Sequence, residues 1–219
     1  MKYISIDCEM TSLSADDGQL LEIGLIIEDS ANPLPFDELP KLKLTIEHDQ
    51  IHGQQYAIWM NARIFELLAR AEDIKDNEQR KLFKEQNNII KEADAAFRIW
   101  DFLRTHGFGE GTYDPAVKAK KIQQLKITVA GKNFGTCDKL FLDKLPDIKK
   151  YVVFRHRIID PCTAYIDFEN DETPPSMDEC FVKLRINHTV SHDSVEDAWD
   201  VIRLLRPMYT NFEQRRCHK

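Results

Sequence analysis

The stretch 4-ISIDCEMTSL-13 carries two acidic residues, Asp7 and Glu9, inside an otherwise apolar run. A β-strand directs residues i and i+2 to the same face, so both carboxylates are predicted to leave one face of one strand. The intervening residues are apolar, which predicts a central strand rather than an exposed edge. Two carboxylates this close raise each other's pKa and destabilise the fold unless a cation lies between them.

The composition is that of a soluble globular protein, with 219 residues of which 42% are hydrophobic and 31% charged. This length is enough for one substantial core, and we expect a single domain over residues 1–210 with 211–219 as a flexible tail. No window approaches the ~18 apolar residues of a membrane span, and the charged start "MK" predicts no signal peptide. We therefore expect no membrane association.

The cysteines and the net charge exclude several classes of protein. The five cysteines form no C-x-x-C pair, which argues against a zinc ribbon or a disulfide framework and predicts a reducing, cytoplasmic compartment. The net charge of −7 argues against a protein that coats long nucleic acid through a broad basic face. A small phosphate site is still compatible with this charge, and concentrated acids are suited to holding cations.

The order of predicted elements indicates an α/β fold. Strands are predicted at 2–10, 19–29 and 41–47, the third at a sheet edge, and further strands at 126–133 and 151–160. Helices are predicted at 58–72, 78–104, 137–145, 174–184 and 194–206, the last ended by Pro207. A glycine-rich and then basic segment within 105–125 reads as a surface insertion. These elements predict a mixed sheet with helices on both faces.

Two more acidic residues are predicted to lie near the ends of the strands. Asp138 begins a helix directly after the strand predicted to end at Asn133, and ligand sites in open α/β sheets lie at such strand ends. Asp197 lies in "SVED", which reads as a capping box with Ser194 as the N-cap. The same helix would place His192 just before its first turn.

Four carboxylates that meet at one edge of the sheet need cations. Hard divalent ions with oxygen ligands suit them, because Mg²⁺ binds one or two carboxylates together with substrate phosphates. Two such ions about 3.5–4 Å apart stabilise the attacking and leaving oxygens of a phosphoryl transfer. His192, with an ordinary pKa near ~6.5, suits the removal of a proton from the attacking water.

Each of these residues also has a structural explanation. Asp138 is favoured at a helix N-terminus by the helix dipole, and Asp197 by the capping box, although capping does not explain His192. His188 and Asp193 repeat the same spacing and form a rival pair. We prefer His192 with Asp197, because Asp197 lies in an amphipathic helical run. Three tryptophans are predicted to pack in the fold rather than to stack on bases, and these are Trp59, Trp100 and Trp199.

These motifs resemble those of the DEDDh class of 3′→5′ exonucleases. The three motifs are "DCE" at 7–9, "GKNFGTCD" at 131–138 and "HDSVED" at 192–197. Within the class, "IDCEMTSL" is most similar to oligoribonuclease. The resemblance covers about 3–30 and 126–206 and is weak between them. Ser12 stands where that family has glycine, and His156 stands near the position of a tyrosine that reaches the partner subunit's substrate.

The resemblance implies a ribonuclease H-like fold with a mixed five-stranded sheet, and a set of residue roles. Asp7, Glu9, Asp138 and Asp197 would hold two Mg²⁺ or Mn²⁺ ions, with His192 as general base. The substrate-binding residues would be Met10, Thr11, Leu13 and Asn133, the first three around the 3′-terminal nucleotide.

The resemblance also implies an activity and partners. The substrate would be the 3′ end of short single-stranded RNA, or else of single-stranded DNA, and the products nucleoside 5′-monophosphates. A homodimer is implied, with the strand at 151–156 as a candidate interface. The alternatives are an inactive nuclease fold that binds nucleic acid or protein, a general single-stranded DNA exonuclease, and a hydrolase of small dinucleotides.

Overall fold

The computed structural model describes residues 1–111, 122–188 and 191–210. The basic part of the predicted insertion, with Lys118, Lys120 and Lys121, lies outside the described residues. The predicted tail at 211–219 lies outside them as well. Within the described ranges, none of the helices is both long and apolar enough to cross a membrane.

The centre of the fold is a mixed five-stranded sheet. Its strands, in chain order, are β1 (Lys2–Met10), β2 (Leu20–Asp29), β3 (Lys41–Glu47), β4 (Ile89–Lys91) and β6 (Val129–Ala130). They lie side by side in the order β4-β3-β2-β1-β6. β2 runs antiparallel to its neighbours β1 and β3, whereas β1 pairs parallel with β6 and β3 parallel with β4. The predicted fold class is confirmed.

Helices cover both faces of this sheet. On β1, one set of alternate residues enters the larger core, which includes helix α4 (Glu92–Thr105), and these residues are Ile4, Ile6 and Cys8. The other set faces helix α8 (Ser194–Thr210), where Tyr3 packs among the helix's apolar residues. Ser5 Oγ donates a hydrogen bond of 2.7 Å to the carbonyl oxygen of Ala198 in that helix. Asp7 and Glu9 belong to this second set.

Two predicted helices are each divided. The helix predicted at 58–72 is two helices, α1 (Gln55–Met60) and α2 (Ala62–Asp73), which meet at Asn61. The prediction of one helix over 78–104 is wrong in its middle. There α3 (Asn77–Gln86) is followed by the strand β4 before α4 begins. Asn88 adopts a left-handed backbone with φ of 49°, which ends the helix. Because β4 covers β3, the prediction of β3 as a sheet edge is also wrong.

The strand predicted at 126–133 is broken. β5 (Leu125–Ile127) pairs with β7 (Val152–Phe154) in a second, two-stranded sheet, and only β6 joins the main sheet. Asn133 lies in a turn with φ of 54° and is not the end of a strand. The remaining helices are α5 (Asp138–Leu142), α6 (Ile148–Tyr151) and α7 (Met177–Leu184), and short 3₁₀ helices span Phe36–Glu38 and Pro161–Tyr165.

The last helix differs from its prediction at both ends. Asp193 caps it, because Asp193 Oδ1 accepts hydrogen bonds from the main-chain N–H groups of Val195 and Glu196. The predicted N-cap, Ser194, is the first helical residue. The helix also continues through Pro207 to Thr210, beyond the predicted end.

Tertiary contacts anchor the final turn of α8. Arg206 Nη2 lies 2.7 Å from a carboxylate oxygen of the buried Glu28 on β2, and its guanidinium stacks on Trp199. The hydroxyl groups of Tyr209 and Tyr3 lie 3.4 Å apart. These contacts hold the helix beyond Pro207, which would otherwise favour its end.

Candidate active site

The two acids of β1 lie where α8 approaches the sheet most closely. In the strand register Asp7 is opposite Gly24 and Glu9 is opposite Glu22. A Cβ atom on Gly24 would lie only 2.2 Å from the carbonyl carbon of Ser194, so this position requires glycine. The close approach brings the first turns of α8 over the acidic end of β1.

Asp138 reaches the same place from helix α5. Its side chain is buried, and its Oδ1 accepts a hydrogen bond of 2.9 Å from the main-chain N–H of Cys8. Cys8 lies between Asp7 and Glu9 in the sequence, so this bond fixes the carboxyl group of Asp138 against the acidic end of β1. The charge of Asp138 there raises the pKa of Asp7.

His192 and Asp197 complete the group from the start of α8. Ligand atoms of Glu9, His192 and Asp197 all lie within 4.8 Å of one another, close enough to share one cation. Ser191 Oγ donates a hydrogen bond of 3.2 Å to Asp197 Oδ1. His192 has a left-handed backbone, with φ of 50°, which is unusual for a residue other than glycine.

The protonation of these acids is shifted by burial and by their mutual repulsion. Burial raises the pKa of Asp7 well above its ordinary value, and the charges of Asp138, Asp197 and Glu9 raise it further. The pKa of Glu9 rises to about 7 and that of Asp197 to about 6, in each case mainly through burial. Burial likewise raises the pKa of Asp138 to about 7.

This donor set fits divalent cations. The raised pKa values show that ionising these four carboxyl groups together is unfavourable, and a cation among them would favour the ionised forms. Carboxylate oxygens suit Mg²⁺ and Mn²⁺, and an imidazole beside them is compatible with Mn²⁺. The residues present therefore match the chemistry of a divalent metal site.

The rival histidine is engaged elsewhere. His188 Nδ1 lies 2.7 Å from Asp178 Oδ1, and His188 Nε2 lies 2.6 Å from Asp200 Oδ2. The ring also stacks on Phe181, with centroids 4.3 Å apart. Because both ring nitrogens have carboxylate partners, His188 is not poised to take a proton from water. Its predicted partner Asp193 caps α8 and pairs with Lys43 instead.

Two of the four predicted substrate-binding residues line an apolar cavity of about 250 Å³ beside Glu9. Met10 and Leu13 line this cavity, and the side chain of Leu13 is 78% exposed. Thr11 is fully buried, and its Oγ1 accepts a hydrogen bond of 2.8 Å from the main-chain N–H of Gln19. The hydroxyl of Thr11 is therefore committed to the fold.

The structure does not bring Asn133 to the acids. It is exposed in the turn before α5, and its main-chain N–H donates a hydrogen bond of 3.0 Å to Asp160 Oδ2. Asn133 lines neither the apolar cavity nor a second cavity, which is lined by Asp7, His192 and Asp197. Its backbone, rather than its side chain, has the defined contact.

An ion pair that sequence reasoning missed supports the site. Glu22 is fully buried on β2, and the guanidinium of Arg63 on α2 donates to both its carboxylate oxygens, at 2.8 and 2.6 Å. Ser194 Oγ donates a further hydrogen bond of 2.7 Å to Glu22 Oε1. The available signal was an acid within the apolar run "LLEIGLII", since a buried acid needs a partner.

Asn61, at the junction of α1 and α2, was also missed. Its side-chain amide donates to the carbonyl oxygens of Met10 and Ala57, at 3.3 and 3.0 Å. Its Oδ1 is buried and has no hydrogen-bond partner among the described residues, although Asn61 lines the apolar cavity. An unpaired buried acceptor at a cavity wall is suited to a ligand that carries a donor.

The prediction that all three tryptophans pack is wrong for Trp59. Its side chain is 71% exposed on α1, and its ring lies 6.1 Å from that of Tyr56, which is 69% exposed and lines the apolar cavity. α1 presents only half-buried and exposed residues, so Trp59 has no core to enter. Trp100 is buried, and Trp199 packs on Phe36, as predicted.

The fold is similar to that of exonuclease I. One solved structure, Escherichia coli exonuclease I in complex with a dT13 oligonucleotide, is 14% identical with a TM-score of 0.57, covering 97% of this chain and 42% of that one. A second structure of exonuclease I is also 14% identical, with a TM-score of 0.58, and the alignment covers 95% of this chain and 41% of that one.

The chain therefore spans about two fifths of the exonuclease I chains that it matches. No protein-family model matches the sequence, and no curated protein matches it. At this identity the similarity shows the fold, which is ribonuclease H-like. It does not single out oligoribonuclease, which was the subfamily predicted from the first motif.

Proposed function

We propose that this protein is a metal-dependent 3′→5′ exonuclease that hydrolyses the terminal phosphodiester of single-stranded nucleic acid to nucleoside 5′-monophosphates. The observation that carries the proposal is the meeting of Glu9, His192 and Asp197 within 4.8 Å of one another, beside Asp7 and Asp138. A purely structural role would not explain four acids placed together, because their mutual repulsion destabilises the fold.

The four acids would hold two Mg²⁺ or Mn²⁺ ions. When bound, these ions stabilise the charge on the attacking and leaving oxygens of the phosphoryl transfer. The carboxyl groups of Asp7, Glu9 and Asp197 face the space between β1 and α8. Asp138 closes it from α5, where its carboxyl group accepts a hydrogen bond from the main-chain N–H of Cys8.

His192 would take the proton from the attacking water. Its ring lies beside Glu9 and Asp197, so it is placed next to the acids that would hold the ions. Arg63 Nε donates a hydrogen bond of 3.0 Å to the main-chain oxygen of His192. This contact holds the histidine in its left-handed conformation over the acids.

The apolar cavity would hold the 3′-terminal nucleoside. Met10 and Leu13 supply apolar surface for the base, and Tyr56 adds an aromatic ring at the same cavity. The unpaired Oδ1 of Asn61 can accept a hydrogen bond from a sugar hydroxyl or a base N–H. Thr11 contributes through its main chain, whose carbonyl oxygen accepts from Gln54 N–H at 2.7 Å, and so shapes the cavity wall.

Short RNA is our first choice of substrate and single-stranded DNA the second. The net charge of −7 favours substrates with few phosphates, while the likeness in fold to a structure holding a dT13 oligonucleotide favours DNA. The homodimer, the cytoplasmic location, the single domain over 1–210 and the role of Asn133 stay predictions. The alternatives are an inactive nucleic-acid-binding or protein-binding scaffold and a hydrolase of small dinucleotides.

The test is a length series. RNA and DNA oligomers of two to twenty nucleotides are incubated with Mn²⁺, and the products are separated over time and identified. We expect nucleoside 5′-monophosphates, with the shortest RNA consumed fastest. Faster loss of long DNA would establish the general DNA exonuclease, and stable oligomers of every length would contradict the proposal and favour the scaffold.

A further inference from the structure

A second cavity, of about 300 Å³, is lined mainly by charged and polar side chains, and we call it the polar cavity. Asp7, His192 and Asp197 line it at one end, so it opens directly onto the candidate metal site. The apolar cavity includes Glu9 but none of these three residues. The two cavities thus flank the acidic group, and a bound strand that passes over the acids would enter both.

Lys132 lines the polar cavity and is held there by its neighbours. Gly131 N–H donates a hydrogen bond of 3.0 Å to the carbonyl oxygen of Ile159, and Asn133 N–H donates to Asp160 Oδ2. A Cβ atom on Gly131 would lie 2.8 Å from the carbonyl oxygen of Ile6, directly before Asp7. The turn that carries Lys132 is therefore pinned next to the acidic end of β1.

Several charged groups at the other end of this cavity are paired with one another. His188 lies between Asp178 and Asp200, and Arg203 Nη1 lies 2.8 Å from the second carboxylate oxygen of Asp200. Lys132, by contrast, makes no hydrogen bond or ion pair with any residue that the structure describes, although acids line the same cavity. Its ammonium is left for an anion.

We propose that Lys132 binds a phosphate of the substrate strand, on the 5′ side of the linkage that is cleaved. This inference rests on the proposed function and names a phosphate subsite for it. The apolar cavity suits the terminal base, whereas the charged walls of the polar cavity do not. With the terminal nucleoside in the apolar cavity and the scissile phosphate over the acids, the next phosphate falls in the polar cavity. Lysine contributes to phosphate binding as a point charge with three donors.

The test measures binding in a His192→Ala background, which retains the four acids but slows cleavage. Lys132→Gln is compared with Lys126→Gln, because Lys126 is an exposed lysine on β5 that lines neither cavity. Each variant is titrated with a single-stranded ten-nucleotide oligomer. A second oligomer carries one uncharged methylphosphonate at the linkage next to the scissile one.

Lys132→Gln should weaken binding of the ordinary oligomer roughly tenfold and reduce the salt slope of log K by about 0.7, the value for one phosphate contact on a single strand. Lys126→Gln should leave both unchanged. With the methylphosphonate oligomer, Lys132→Gln should have no further effect. An equal loss on both oligomers, or no loss on either, would overturn the subsite.

Degradation by the parent chain separates failure of the subsite from failure of the proposed function. If only the subsite is wrong, the parent chain still degrades oligomers in Mn²⁺, and Lys132→Gln degrades them with the same KM as Lys126→Gln. If the parent chain degrades nothing, the nuclease proposal itself fails and the subsite with it.

Discussion

Arg63 donates a hydrogen bond from Nε to the main-chain oxygen of His192 at 3.0 Å, while its other nitrogens bind the fully buried carboxylate of Glu22. Glu22 is the cross-strand neighbour of Glu9. One guanidinium thus connects the sheet that carries the acids with the segment that carries the candidate base. The position of His192 depends on an ion pair that takes no part in the chemistry.

Arg63→Met should therefore affect both stability and activity. It removes the guanidinium from the buried carboxylate of Glu22, which keeps only Ser194 and, at 3.6 Å, Lys43 Nζ, and removal of one member of a buried pair costs roughly 3–5 kcal/mol of unfolding free energy. We expect a loss at the lower end of that range, because the side chain of Arg63 is partly exposed to solvent. Urea unfolding measures the loss, and Lys150→Met, at an exposed pair with Asp147, should change the unfolding free energy by less than about 1 kcal/mol.

The double variant Arg63→Met with Glu22→Gln separates the two effects. Removing the charge of Glu22 should restore most of the stability, but not kcat, because the main chain of His192 has still lost its hydrogen-bond donor. If kcat recovers together with stability, Arg63 has only a structural role.

The metal-free protein should lose stability as the pH rises. The pKa values of Glu9 and Asp138 are raised to about 7, so the folded state binds more protons than the unfolded state between about pH 4 and pH 7. Its unfolding free energy then falls across this range. Asp7→Asn removes one interacting charge, so in EDTA it should raise the melting temperature near about pH 8 and much less near about pH 5. A melting temperature lowered by Asp7→Asn at both pH values would contradict the repulsion.

Stabilisation by divalent ions should increase with pH, which is opposite to the trend of the metal-free protein. Binding requires ionised carboxylates, so Mn²⁺ should raise the melting temperature more at about pH 8 than at about pH 5. Asp197→Asn should reduce this rise, whereas Glu169→Gln, at an exposed acid distant in sequence from the site, should leave it unchanged. An equal rise in all three proteins would place the ion elsewhere.

The two histidines should differ in what they affect. His192→Ala should lower kcat by roughly 10²–10⁴-fold, the usual contribution of a general base, while the Mn²⁺-dependent rise in melting temperature persists. His188→Ala leaves Asp200 and Asp178 without their partner and removes the stack on Phe181, so it should lower stability more than kcat. The reverse pattern would show that His188 is the base.

The sequence predicted the sheet and the positions of the acids because local patterns determine them. The alternation in β1 sets which face Asp7 and Glu9 occupy, and the amphipathic pattern of α8 sets the face of Asp197. The short strand β4 was missed because two isoleucines next to a helical pattern cannot be told from a helix by periodicity. Only the parallel pairing with β3 makes them a strand.

The contacts that support the site could not be predicted, because they join residues distant in sequence. Glu22, Arg63 and Ser194 meet through the packing of α2 and α8 on β2. The same holds for Lys132, whose turn is pinned by Ile159 and Asp160. The motif spacing indicated Asn133 as a site residue, but the broken strand before it turns the side chain to the surface.

The most direct test of the central claim follows a single oligomer labelled at its 5′ end. The protein, and its Asp138→Asn variant as control, are incubated with Mn²⁺ and with a single-stranded RNA of ten nucleotides. We expect a ladder of labelled products that shortens from the 3′ end with time, and no ladder with Asp138→Asn or in EDTA. Immediate release of the labelled 5′ nucleotide, or equal degradation by the variant, would contradict a 3′→5′ exonuclease that works through these acids.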